Sequence, residues 1–269
     1  MQFKARIKKL ASEKRVPAQS VLQNFMLERL LERISVSAYK DRFVLKGGML
    51  IASLVGIGSR TTMDMDATLT GYPLIEETLR SALSDICKTQ LNDGVDFTLE
   101  YILPIRDDDE YGGYRAAILA KYDSINTPLK FDITTGDIMT PGAVRYKFPS
   151  SFEEKIIEVW AYNTETILAE KVETILRRSV FNSRMRDFYD VYIIVKIQPF
   201  DPGIFVTALK ATSQWRGSSA VLLDKENILR AILENSVMLQ RWQLYCRENY
   251  YARGIEFSEV IAALGGLLE

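Results

Sequence analysis

Three consecutive β-like runs in the middle of the chain constrain its fold more than any other feature. They are VDFTLEYILPI (95–105), GYRAAILAKY (113–122) and PLKFDITTGD (128–137), with the turn signal DDDEYGG between the first two. The flanks have a different period. Ala18, Val21, Leu22, Phe25, Met26, Leu30, Leu31 and Ile34 recur at steps of three and four, the stripe of an amphipathic helix. Pro17 stands near its start, where proline is tolerated. Residues 1–41 therefore read as helical. FVLKGGMLIASLVGI reads as a strand end, a Gly-Gly turn and a helix. TTMDMDATLTG reads as a strand closed by Gly71 and Pro73, and residues 74–91 as an amphipathic helix. After Pro149 the pattern turns helical again. NTETILAEKVETILRRSV is capped by Asn163 or Thr164, RMRDFYDVYIIVKI follows, and two or three more helices run to the end. Helices, a βαβββ core at about 43–149 and helices again make an α+β chain with a small mixed sheet in its middle.

Composition then limits the chemistry. The 269 residues contain no histidine, which removes His bases, Ser-His-Asp and Cys-His arrangements, and His-ligated metals. Only Cys87 and Cys246 are present, so cysteine-rich metal sites and a disulfide framework go as well. Carboxylates without histidine favour hard cations such as Mg²⁺, or glycosidase-type acid/base work. A formal charge of −1 excludes a uniformly basic nucleic-acid binder but not a local basic face. The N-terminus, MQFKARIKKLASEKR, is basic and lacks the apolar stretch of a signal peptide. With no run approaching a membrane span, the expected location is cytoplasmic, without a membrane partner.

Two clusters carry candidate chemistry. In Asp64-Met65-Asp66, strand alternation puts both carboxylates on one face and Met63, Met65 and Ala67 on the other. Such carboxylates can share Mg²⁺, and Asp132, in LKFDI with Lys130 on its own face, is a third. Gly47-Gly48 would let backbone N–H groups approach phosphate oxygens. Each feature also has a plain reading: a solvated strand face, a simple turn, an ordinary amphipathic strand. The second cluster is Lys171, at the edge of an apolar helix face, with Arg186, Asp187 and Asp190. Asp187 and Asp190 stand at i and i+3 and face one way. It reads either as a salt-bridge network holding two helices or as a triphosphate ligand with its orienting carboxylates. Lys4, Arg6, Lys8, Lys9, Lys14 and Arg15 are candidate nucleic-acid phosphate contacts or a solvated helix face.

Taken in order, these segments resemble the AbiEii/AbiGii family of nucleotidyltransferase toxins of type IV abortive-infection toxin–antitoxin pairs, to which the MenT toxins are related. The resembling segments are FMLERLLERISVSAYKDRFVLKGGMLI, Arg60-Thr61-Thr62-Met63-Asp64-Met65-Asp66-Ala67, LKFDITTGDIMTP, ILAEKVETILRR and RMRDFYDVY. Trp215-Arg216-Gly217 and Trp242 resemble the family's helical C-terminal region. The resemblance implies a DNA polymerase β-like nucleotidyltransferase core at 42–150. A helical segment at 1–41 would precede it, and a helical domain at 151–269 would complete the NTP site. It implies that Gly47 and Gly48, with Arg60, Thr62, Lys171 and Arg186, bind the nucleotide. Asp64, Asp66 and Asp132 would take Mg²⁺, two ions being accommodated, and Lys171, Asp187 and Asp190 would complete catalysis. Met49 stands where a hydroxyl residue is common. The implied activity is Mg²⁺-dependent transfer of NMP from an NTP to a nucleic acid, the tRNA 3′ end, with pyrophosphate released and Asp132 helping to deprotonate the attacking hydroxyl. The alternatives are transfer to a small molecule or protein, and NTP binding without transfer. A cognate antitoxin is expected, without an obligate tight complex, in a phage-defence setting.

Overall fold

A computed structural model describes residues 3–105 and 112–269. Most of the DDDEYGG turn, 107–111, lies outside the described residues. The chain divides into two compact units, Met1–Asp137 with Ala143–Tyr162, and Ile138–Gly142 with Asn163–Glu269.

Among the described residues, the first unit is built on seven strands. They are β1 (Phe43–Lys46), β2 (Asp64–Leu69), β3 (Val95–Ile105), β4 (Gly113–Tyr122), β5 (Ile125–Thr134), β6 (Val144–Pro149) and β7 (Ile156–Ala161). Their order is β3-β4-β5-β2-β1-β7-β6. The β2–β5 and β1–β7 pairs are parallel and the others antiparallel, so the sheet is mixed. Its helices are α1 (Phe3–Lys14), α2 (Ala18–Val36), α3 (Gly47–Val55) and α4 (Glu76–Lys88).

Alternation along the strands makes two unlike sheet faces. Met65, Ala116, Ile118, Phe131 and Ile133 are fully buried on one. Helix α2 packs there against β3, β5 and β7, and α4 against β3. Tyr122 meets Phe3 and Phe25 on this side, with ring centroids 4.2 and 6.3 Å away, so α1 and α2 form the layer behind it. Helix α2 is buried nearly throughout its length, and its charges are paired rather than solvated. Arg33 Nη1 lies 2.7 Å from Asp93 Oδ2, and Glu28 accepts from the Ser150 hydroxyl and the Ser151 N–H.

The second unit consists, among its described elements, of α5 (Thr164–Arg178), α6 (Met185–Ile197), α7 (Pro202–Trp215), α8 (Lys225–Glu234), α9 (Ser236–Glu248) and α10 (Phe257–Leu268), with short 3₁₀ turns. Asn163, rather than Thr164, caps α5, its side chain accepting from the Thr166 N–H at 3.1 Å. The core joins the apolar stripe of α5 to Phe188, Phe257 and the buried Trp242, whose ring stacks on Phe257 with centroids 5.6 Å apart.

Among the described residues of 1–41 the helical reading resolves into α1 and α2, separated where Arg15 enters the left-handed region at φ 56° and Pro17 opens α2. Two local expectations are revised. The chain does not turn helical directly after Pro149. IIEVWA, 156–161, is strand β7, inserted beside β1, with Ile157, Val159 and Ala161 buried on alternation. Four helices, not two or three, follow α6 among the described residues. None of the described helices is long and apolar enough to cross a membrane.

Candidate active site

The site in the first unit starts from β2. Its alternation buries Met65 and Ala67 and leaves Asp64 and Asp66 partly accessible on the other face, as expected. Met63 precedes the strand and is 48% exposed, so it does not share their alternation. In register, Asp64 stands beside Lys130 and Asp66 beside Asp132 on β5, while Lys46 on β1 stands opposite Asp66. The three carboxylates thus share the open face.

The glycine pair is explained by contact. Gly47 adopts φ +67°, and a Cβ there would lie 2.1 Å from Asp66 Oδ2. A Cβ on Gly48 would meet the Thr62 hydroxyl oxygen at 2.6 Å and an Arg60 guanidinium nitrogen at 3.3 Å. The turn therefore seats the Asp66 carboxylate against the start of α3, where the Gly48 N–H donates to it. Thr62, itself buried, donates to Asp64 Oδ1 at 2.7 Å and fixes that carboxylate. Arg60 is buried with its guanidinium on the Thr61 carbonyl. Gly47, Gly48, Arg60, Thr62, Asp64 and Asp66 accordingly form one contiguous group.

Electrostatics mark the same place. Burial pushes the Asp66 carboxyl up to about 6, and the charges of Asp64 and Asp132 add to the rise, against a smaller opposing pull from Lys46 and the Gly48 N–H. Asp132 is held differently. Arg115 Nε and Nη2 donate to its two oxygens at 2.7 and 2.6 Å, a bidentate pair. Its hydrogen bonds to Asp132 raise the Arg115 pKa, and Asp64 and Asp66 contribute further. Beyond Asp66, Lys46 Nζ donates to Asp137 Oδ2 at 2.6 Å and Thr134 Oγ1 at 2.7 Å, and Thr68 donates to the same Asp137 oxygen. Burial would raise Asp137, but Lys46 and these hydroxyls more than offset it and hold the carboxyl low.

Among the described residues, no three His, Cys, Asp or Glu side chains are grouped to hold a metal by themselves. The donor set nonetheless fits a hard divalent cation. Asp64 and Asp66 offer oxygen only, and the Asp66 carboxyl is raised first by burial and then by the charges of Asp64 and Asp132, a setting in which a bound cation would favour the ionised form. Mg²⁺ characteristically takes one or two carboxylates and fills its remaining positions with water and substrate phosphate. Asp132, turned to Arg115, is the member of the expected trio whose oxygens are already occupied.

The second unit holds the other cluster. Lys171 Nζ lies 2.7 Å from Asp187 Oδ1 and 2.8 Å from Asp190 Oδ2, and both carboxylates are essentially inaccessible. Burial alone would lower the Lys171 ammonium, but Asp187 and Asp190 more than compensate and raise it. This is the salt-bridge network that the spacing allowed, linking α5 to α6. Arg184 Nε lies 2.9 Å from Asp187 Oδ2. Arg186 is exposed instead and lines a cleft of about 500 Å³ with Arg184, Asp187, Arg241 and Tyr245. The basic residues of α1 are exposed on the helix layer behind the sheet, not on the carboxylate face. Sequence reasoning passed over Lys46, Arg115 and Asp137. Lys46 could have been found, since it adjoins the glycine pair. Arg115 and Asp137 become visible only through pairing across strands.

A mixed sheet with paired carboxylates beside a glycine turn is an arrangement that a nucleotidyltransferase can use. Matching of residues 29–263 to the nucleotidyl transferase AbiEii toxin of type IV toxin–antitoxin systems shows that the chain belongs to that family. Membership makes it the toxin of a toxin–antitoxin pair, with an antitoxin and an NTP substrate implied. MenT4, a nucleotidyltransferase toxin from Mycobacterium tuberculosis H37Rv, has a similar fold at TM-score 0.59 and 13% identity, over 100% of this chain and 89% of that one. A structure from H. pylori, assigned as a candidate nucleotidyltransferase, gives TM-score 0.51 and 16% identity over 94% of each chain. No curated protein matches the chain significantly.

Proposed function

We propose that the chain transfers an NMP group from an NTP to a nucleic-acid acceptor in the cytoplasm, the acceptor being the 3′ end of tRNA. The observation that carries the reading is the seat of Asp66: a part-buried carboxylate beside Asp64, pressed against a glycine whose Cβ would clash with it. Lys46, the N-cap residue of α3, makes no side-chain cap, and Asp66 takes the Gly48 N–H, so the other N–H groups of the first turn are the ones proposed to meet phosphate oxygens. Asp64 and Asp66 would hold Mg²⁺, which supplies positive charge against the triphosphate. Thr62 keeps Asp64 oriented, and Lys46 balances charge beside Asp66. The acceptor's hydroxyl oxygen bonds to the α-phosphorus while the bond to the bridging oxygen breaks and pyrophosphate leaves. Asp132 takes the hydroxyl proton after Arg115, which is half-exposed, releases one of its oxygens. Lys171, held by Asp187 and Asp190, and Arg186 are proposed to offer positive charge to nucleotide phosphate. Positioning and charge supply the rate, which requires no histidine.

The test incubates the protein with Mg²⁺, each α-labelled NTP and separate pools of RNA, protein and small molecules, beside Asp64→Ala. Label on RNA of tRNA size, lost in the variant, is expected. Label confined to a protein or small-molecule pool, or NTP binding with no pyrophosphate released, would reject the nucleic-acid acceptor.

A further inference from the structure

The open face of the sheet continues from the carboxylates to its edge. Asp66 stands beside Asp132 on β5, Asp132 beside Arg115 on β4, and Arg115 beside Leu103 on β3. In the adjoining row, Asp64 stands beside Lys130, Lys130 beside Ala117, and Ala117 beside Tyr101. Side chains paired in this way share a face. Tyr101 and Leu103 are 50% and 55% exposed on an edge strand, an arrangement that edge strands ordinarily avoid. Lys130 is exposed and Arg115 about half so. The face thus runs from carboxylates through two cations to an aromatic ring and a leucine, with neighbouring strands roughly 4.8 Å apart.

The direction of the reaction selects an occupant. The start of α3 lies on the β1 flank of Asp66, and β5, β4 and β3 lie on the other. In-line displacement sets the entering hydroxyl opposite the departing pyrophosphate. With phosphates toward α3, the acceptor comes in over β5 and β4. Cations for the backbone and a ring for a base are the features that bind single strands without reading sequence. We propose that Tyr101 stacks on a base of the single-stranded acceptor end, with Lys130 and Arg115 beneath its phosphates. The proposal rests on the nucleic-acid reading above and adds the residue that holds the acceptor.

The full chain is titrated, with Mg²⁺ and without NTP, into a fluorophore-tagged short single-stranded oligoadenylate with a free 3′-hydroxyl, and anisotropy is read. Tyr101→Ala and Tyr101→Leu should each weaken binding about 5-fold or more, and Tyr101→Phe should stay within about 2-fold. The Leu and Phe variants both keep a bulky apolar side chain, so a difference between them reports the ring rather than folding. Phe181→Ala, which removes an aromatic that is 86% exposed in the other unit, should leave binding unchanged. Tyr101→Leu binding like the unmodified protein overturns the proposal, as does failure of the unmodified protein to bind the oligonucleotide. Tyr101-dependent binding without label transfer to any RNA would sink the transfer reading and leave the surface standing. Transfer with Tyr101-independent binding would do the reverse.

Discussion

Asp66→Asn should make the metal-free protein more stable while destroying its cation site. The Asp66 carboxyl rises from 3.8 to about 6 through burial and the charges of Asp64 and Asp132. At about 1.4 kcal/mol per unit, an ionised Asp66 costs the folded state roughly 3 kcal/mol at neutral pH. The sign follows from the raised value. Below about 3.8 the carboxyl is protonated both folded and unfolded, and there is no penalty. Stability is then lost as pH rises toward 6, and the loss is complete above it. Asparagine keeps an oxygen for the Gly48 N–H and removes the charge. In EDTA at pH 7.5, thermal denaturation should show the variant melting roughly 6–12 °C higher, at about 2–4 °C per kcal/mol. The difference should shrink toward zero near pH 4. Added Mg²⁺ should raise the melting temperature of the unmodified protein and not that of the variant, by binding linkage. A variant that melts at or below the unmodified protein in EDTA at pH 7.5 would refute the reasoning that an ionised Asp66 is disfavoured at this seat.

The remaining predictions probe neighbouring parts. Gly47→Ala meets Asp66 Oδ2 at 2.1 Å and must hold φ +67°. It should cost more than about 2 kcal/mol in urea denaturation and abolish nucleotide transfer, and a variant of normal stability would contradict the close packing. Thr62→Val removes the donor to Asp64 Oδ1. It should weaken Mg²⁺ affinity about 5-fold, read from the metal dependence of transfer, since a buried hydrogen bond contributes roughly 1 kcal/mol. Lys171→Met strands Asp187 and Asp190 without their shared cation and should destabilise the protein by about 3–5 kcal/mol in chemical denaturation. A loss below about 1 kcal/mol would show that the network carries little structural load.

Element type was largely legible in the sequence, and particular residues show why. The stripe from Ala18 to Ile34, the turn at Gly47-Gly48 and the alternation in β2 through β5 are local patterns. A side chain's face is set by its position in a helix or strand whatever the rest of the chain does. The segment 156–161 failed because six residues of short alternation just ahead of a helix look alike in either state. Only insertion beside β1 made them a strand. Within the candidate site, the shared face of Asp64 and Asp66 was legible for the same local reason, as was that of Asp187 and Asp190.

By itself, the sequence determined the chemical repertoire: no histidine, paired carboxylates, a glycine turn, and an order of segments that identifies a nucleotidyltransferase toxin family. Tertiary structure alone decided what each group does with its neighbours. It set Arg115 on both oxygens of Asp132, brought Lys46 to Asp137, and closed Lys171 between two buried carboxylates. It also pressed Asp66 into a seat where its charge is disfavoured. Ion pairing and desolvation depend on distance and burial, and both arise from contacts between residues far apart in the chain, which no local pattern encodes.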